Sequence, residues 1–159
     1  MNIQIICVGG LKEAYWRDAC AEYAKRLSAY CTFSVTEVAE TKMGKSPSAA
    51  EIARTIESEG ERILQKLPKG AYAVALCIEG KLISSEDLAG IISDAGLNGK
   101  STIALLIGGS HGLSEAVKQR AQLRISMGRM TFPHQLARVM LCEQLYRACS
   151  INGGGQYHK

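Results

Sequence analysis

No apolar run in this 159-residue chain reaches the ~18–20 residues needed to cross a bilayer. Met1-Asn2-Ile3-Gln4 carries no basic stretch ahead of an apolar one. Neither a membrane span nor a signal peptide is therefore expected. No two cysteines follow the Cys-x-x-Cys spacing, which removes support for a zinc site or a thioredoxin-type motif. His111, His134 and His158 have no metal-ligand spacing, so no metal is expected. The chain has no Gly-x-Gly-x-x-Gly, no Walker A lysine motif and no Gly-x-Ser-x-Gly elbow. A Rossmann dinucleotide site, a P-loop and a serine hydrolase are thus disfavoured. Internal repeats and low-complexity segments are missing too, which argues against a fibrous or disordered chain.

What is present fits one globular domain over residues 1–159, expected to be cytoplasmic. Apolar residues make up 47% and charged residues 21%, close to the globular average. A chain of this length buries enough surface to hold a core without staples. Most of the six cysteines sit in apolar stretches, such as Ile5-Ile6-Cys7-Val8 and Ala75-Leu76-Cys77-Ile78. They read as reduced core thiols.

The net charge of +4 is unevenly placed. From Arg124 to Lys159 the basic residues are Arg124, Arg129, Arg138, Arg147 and Lys159, against one acid, Glu143. The remainder balances, so this quarter carries the whole excess. A local basic patch is the footprint of a polyanion partner, although a solvated basic surface would look the same.

Along the chain, Asn2–Val8 reads as a buried strand closed by Gly9-Gly10. Lys12–Tyr30 places Tyr15, Trp16, Ala19, Cys20, Tyr23 and Leu27 at helical spacing, an aromatic stripe expected in the core. Thr32–Val38 alternates as a strand. Thr41–Pro47 is a polar loop, expected to be mobile. Ser48 to Glu51 is a capping box opening a helix that Pro68 ends, with Gly60 weakening it by roughly 1 kcal/mol against alanine. Tyr72–Ile78 and Ser101–Ile107 are further buried strands, separated by a helix capped at Ser84 and broken at Gly96–Gly99. A short helix through Val117 and Ala121 leads to a last strand, Leu123–Met127. His134–Ser150 is one long helix, apolar on more than one face. Strands alternating with helices imply an α/β fold with a mostly parallel sheet. The over-apolar last helix asks for another partner, most simply a second copy of the chain.

Ligands in open α/β sheets bind outside the carboxyl ends of the strands. Four special turns fall there: Gly9-Gly10, Glu79-Gly80-Lys81, Gly108-Gly109-Ser110-His111-Gly112 and Met127–Pro133. Glycine lets the backbone approach a ligand closely. From the residues alone, the reading is a glycine-lined pocket beside a basic segment, suited to a nucleotide or nucleic acid.

Particular stretches are similar to one family. They are Val8-Gly9-Gly10-Leu11-Lys12-Glu13-Ala14-Tyr15-Trp16, Leu106-Ile107-Gly108-Gly109-Ser110-His111-Gly112-Leu113 and Met130-Thr131-Phe132-Pro133-His134-Gln135. Arg138-x-x-Leu141-x-Glu143-Gln144-x-Tyr146-Arg147-Ala148 and the terminal Tyr157-His158-Lys159 complete the set. Together they resemble the large-subunit ribosomal RNA methyltransferases of the RlmH type, in the SPOUT superfamily. The match runs essentially end to end. It departs at Gly10, where lysine is common, and in the glycine-rich tail at 153–155.

The resemblance implies a SPOUT-type parallel sheet flanked by helices, with a C-terminal trefoil knot, in a homodimer whose active site lies at the interface. It implies S-adenosyl-L-methionine as methyl donor, bent and held mainly by backbone at Leu76, Gly108 and Met127, Gly128, Arg129, Met130, Thr131 and Phe132. The implied reaction methylates N3 of a pseudouridine in the helix-69 loop of 23S rRNA, within the assembled 70S ribosome. Arg147 is the candidate to stabilise the deprotonated base, oriented by Glu143 one helical turn away. His158, Tyr157 and His134 are candidates to orient the base or receive the proton. Arg129 and Arg138 are expected on phosphates. The alternatives are a non-catalytic RNA- or ribosome-binding module of the same fold, and a small-molecule nucleotide enzyme.

Overall fold

A computed structural model describes residues 1–158; Lys159, counted above with the basic residues and the terminal motif, lies outside the described residues. Ten elements follow in order: β1 (Asn2–Val8), α1 (Ala14–Leu27), β2 (Thr32–Val38), α2 (Ala49–Lys66), β3 (Tyr72–Leu82), α3 (Ser85–Leu97), β4 (Thr102–Ile107), α4 (Glu115–Arg120), β5 (Leu123–Ser126) and α5 (His134–Asn152). The strands form one sheet, parallel throughout, in the order β2-β1-β4-β3-β5. Its strands are nearly continuous apolar runs because both faces are covered. Ile3, Ile5, Cys7, Val74, Ile103, Leu105 and Ile107 face α1, α3 and α5. Ile6, Val8, Ala73, Ala75, Ala104 and Leu106 face α2 and α4.

Local signals set the helix starts. Ser48, Ser84 and Ser114 each accept the backbone N–H three residues on, and Asp87 completes a capping box with Ser84. Gly60 does more than weaken α2: a Cβ there would stand 2.1 Å from Ser114 Oγ, so glycine is what lets α4 seat against α2. β3 runs past the expected end at Ile78, because Lys81 and Leu82 pair again with β5 after an irregularity in register.

Two expectations are corrected here. Tyr15 is not core: it is 63% exposed and stacks edge-on against Trp16 at 4.9 Å. The helix begins at Ala14, and only its last residue, Leu27, is fully buried on the sheet. Arg138 does not reach for phosphate. It is 2% exposed, donating from Nη1 to Glu37 Oε1 at 2.6 Å and from Nη2 to the Gly9 carbonyl at 2.7 Å. No helix among the described residues is long and apolar enough to cross a membrane.

The Arg138 contacts also fix the path of the chain. β5 is the sheet edge opposite β2, yet α5 docks its first turns beside the ends of β1 and β2. Residues 127–133 must therefore cross the carboxyl ends of β3 and β4, a span of roughly 14 Å at ~4.8 Å per strand.

Candidate active site

That crossing builds a cavity of about 360 Å³ at the carboxyl ends of β3, β4 and β5, within the range of small-molecule sites. Leu76, Gly108, Met127, Gly128, Met130, Thr131 and Phe132 all line it, and His134 stands at its rim. Of the eight expected donor-binding residues only Arg129 is not in the wall; its side chain is exposed. Gly108 has no room for a side chain, since a Cβ would lie 2.4 Å from the carbonyl carbon of Gly112. The turn thus folds back on itself and offers backbone to the cavity. Its walls combine apolar Leu76, Ile107 and Phe132 with main-chain groups of 108–112, which suits an adenosyl group read by main-chain donors and acceptors. Sequence reasoning did not assign Glu79 and Lys118, an ion pair at the cavity mouth. The Glu79-Gly80-Lys81 turn was the available signal.

A second cluster gathers around Arg147. Its Nη2 and Nε donate to Glu143 Oε1 at 2.6 and 3.0 Å. The Tyr157 hydroxyl donates to the same oxygen at 3.2 Å, and the Tyr157 ring lies 4.6 Å from the guanidinium carbon. Arg147 Nη1 faces His158 Nδ1 at 3.5 Å, and His158 Nε2 meets Glu86 Oε1 at 2.8 Å. An arginine only donates, so in this arrangement Nδ1 accepts and Nε2 carries the proton toward Glu86. Both ring nitrogens of His158 are occupied. Bonding to Glu143 raises the Arg147 pKa further, so its charge is permanent. Burial, then the Glu143 charge, raises the Tyr157 pKa, and the phenol stays protonated. Gln144 ties the cluster to α3: its Nε2 donates to Glu143 Oε2 and its Oε1 accepts from Ser85 Oγ at 2.6 Å. Sequence reasoning found Arg147, Tyr157 and His158 but not Glu86 or Ser85, whose approach depends on how α3 and α5 pack.

The two clusters are not together. His134 opens α5 and Arg147 lies thirteen residues later on the same helix, roughly 20 Å away at 1.5 Å per residue.

A five-stranded parallel sheet with a ligand cavity wrapped by its C-terminal segment defines a class, and comparison agrees: a family model described as "Predicted SPOUT methyltransferase" matches residues 1–158. The chain belongs to the SPOUT methyltransferase family. Among curated relatives it is 50% identical over 159 residues to "Ribosomal RNA large subunit methyltransferase H" of Clostridium novyi (strain NT), covering 100% of both chains. It is 51% identical to the protein of that name from Ligilactobacillus salivarius, again over the full length of both. Among solved structures, the tRNA (m1G37) methyltransferase from Aquifex aeolicus superposes with a TM-score of 0.57 at 12% identity, covering 100% of this chain and 74% of that one. A probable methylase family protein from Haemophilus influenzae Rd KW20 gives 0.54 at 12% identity, covering 99% and 70%. These two likenesses concern the fold.

Proposed function

We propose that this chain is an S-adenosylmethionine-dependent methyltransferase acting on N3 of a pseudouridine in the helix-69 loop of 23S rRNA, on the assembled 70S ribosome. It works as a homodimer. The observation that carries this reading is the separation of the two halves of the site along α5. The donor cavity opens at one end of the helix, and the Arg147 cluster stands roughly 20 Å away at the other. Methyl transfer needs the nucleophile in line with the methyl group, so a second copy must bring its Arg147 cluster to this cavity. Leu136, Val139 and Met140 support that arrangement. They are only partly buried, at positions three and four apart along one side of α5. The trefoil knot belongs to the same reading, supported by the crossing of 127–133 against the 108–112 turn.

When bound, the donor supplies a methyl group on a sulfonium. Gly108 and the backbone of 127–132 would hold it, with Leu76 and Phe132 as apolar walls. Arg147 keeps unsatisfied N–H groups after serving Glu143 and His158, and these donate to the carbonyl oxygens of the base as N3 loses its proton. Glu143, Tyr157 and His158 hold the guanidinium in that pose. His134, which lines the cavity, is the candidate to receive the proton. Deleting Tyr157–Lys159 removes two of the three supports of Arg147. It is expected to slow transfer tenfold or more while leaving the melting temperature unchanged, as checked by turnover and circular dichroism. Unchanged turnover would remove the tail from the site.

The test is transfer of labelled methyl to 70S ribosomes and, in parallel, to free 23S rRNA, both lacking the modification. Label in a helix-69 fragment from 70S alone is the expected result. Donor binding with no label in either would assign the cavity to another substrate. RNA binding without donor binding would favour the non-catalytic module.

A further inference from the structure

Glu59 is the only fully buried carboxylate among the described residues, at 5% exposure. The chemistry above does not use it, and it takes part in none of the ion pairs among those residues. It projects from α2 toward the carboxyl end of the sheet, where its Oε1 accepts the Thr41 backbone N–H at 3.1 Å. Its Oε2 lies against Gly109: a Cβ built there would stand 2.9 Å from that oxygen. Gly109 is itself a wall residue of the donor cavity, so one glycine separates the carboxylate from the ligand space. Arg62, on the same helix, directs its guanidinium elsewhere, to the Ala39 carbonyl, Thr41 Oγ1 and Ser58 Oγ. The acid at the cavity mouth, Glu79, is neutralised by Lys118. Glu40, Arg62 and His111 are the charged or titratable groups facing Glu59, and Glu40 is exposed to solvent.

We propose that Glu59 is a specificity-determining residue whose negative charge, acting through the Gly109 wall, makes the cavity prefer the cationic methyl donor over its neutral thioether product. The inference rests on reading this cavity as the S-adenosylmethionine site. In the transfer, the nitrogen lone pair forms the new N–C bond and the C–S pair returns to sulfur, so the sulfonium ends as an uncharged thioether. A carboxylate with no cationic partner, one backbone width from the cavity, attracts the first and not the second. Turnover thereby removes an attraction, which favours release of the product. The charge acts most strongly on the bound ground state and fades as the C–S bond breaks, so it lowers KM and does not raise the rate of the chemical step.

Burial, with the like charge of Glu40 in support, raises the Glu59 pKa, while the Thr41 N–H, Arg62 and His111 pull the other way. A carboxyl raised in the folded state contributes stability below its unfolded pKa and loses it as pH rises through the folded value. At neutral pH the charge therefore costs stability. Glu59→Gln removes that cost and keeps an acceptor for Thr41, so it is expected to melt at or above the wild-type temperature.

The experiment is calorimetric binding of S-adenosylmethionine and S-adenosylhomocysteine to the full wild-type and Glu59→Gln chains, with melting curves for both. The expected result is an affinity for the donor reduced on the order of five- to tenfold, with affinity for the thioether changed less than about twofold. Equal losses for the two ligands, or no loss, would overturn the assignment. A variant melting well below wild type would also overturn it, because the carboxylate would then be structural. A wild-type chain that binds neither ligand would overturn the reading of the cavity itself, and the inference with it.

Discussion

Replacing Arg147 with alanine is expected to reduce methyl transfer by about 10²–10³-fold, with donor affinity unchanged within twofold. The guanidinium forms no part of the cavity wall and stands roughly 20 Å along α5 from the cavity of its own chain, so its loss is read in transfer rather than in donor binding. It removes the one permanent positive charge of the cluster, fixed by two bonds to Glu143 and by the Tyr157 ring. Lysine is not expected to rescue, because a point charge cannot serve Glu143, His158 and a base carbonyl at once. Single-turnover kinetics on 70S ribosomes and donor calorimetry together read the split. Mixed dimers then locate the site. Gly108→Val drives a side chain into the Gly112 backbone, which disrupts the turn that lines the cavity and is expected to abolish transfer; Arg147→Ala alone keeps only its residual rate. A mixed dimer of the two has one intact cavity facing one intact Arg147 cluster. Recovered activity is expected in the mixture; its absence would place both halves in one chain. Full activity of Arg147→Ala would remove the arginine role.

Arg138→Ala is expected to cost about 2–5 kcal/mol of stability, through the cavity it leaves and the Gly9 carbonyl it strips of a donor, a large share of the ~5–15 kcal/mol a domain of this size has. The side chain is 98% buried by its 2% exposure, and its Nε already lacks a partner. Truncation leaves a cavity beneath the start of α5 and strips the Gly9 carbonyl of its donor. Glu37, which is 49% exposed, regains water, so the cost arises from Arg138 itself and not from a stranded partner charge. Arg138→Met fills much of the volume and is expected to recover part of the loss. Urea unfolding of the three chains checks this. A loss below about 1 kcal/mol, accompanied by weaker RNA binding, would return Arg138 to a phosphate role.

Much of the molecule was legible in the order of its residues. The runs at Asn2–Val8, Tyr72–Ile78 and Ser101–Ile107 are apolar at consecutive positions, which only a strand covered on both faces tolerates. The serines at 48 and 84 state where helices start, since a cap bonds within its own turn. The turns at 108–112 and 127–133 could be placed at the carboxyl ends of strands, and seven of the eight residues that the resemblance implies for donor binding line one cavity. Errors arose where a local period was asked to decide burial. Tyr15 falls on the apolar stripe of α1, but it sits at the helix's first turn, beyond the sheet's cover.

The sequence by itself determined the α/β alternation, the helix boundaries and the glycine-rich turns, because apolar period, capping and backbone freedom act over a few residues. It also determined that the basic excess falls from Arg124 onward. Only the tertiary structure decided what that excess is. Arg138 meets Glu37 across 101 residues, so one of the charges that looked like an RNA-facing patch is bound inside the chain. Glu59 likewise reads in sequence as one more helix acid, and becomes a buried carboxylate behind the cavity at the carboxyl ends of the strands only because Gly109 is folded against it. Coulomb interactions depend on distance through space and on the loss of water around each charge, and neither is set until the helices have packed on the sheet.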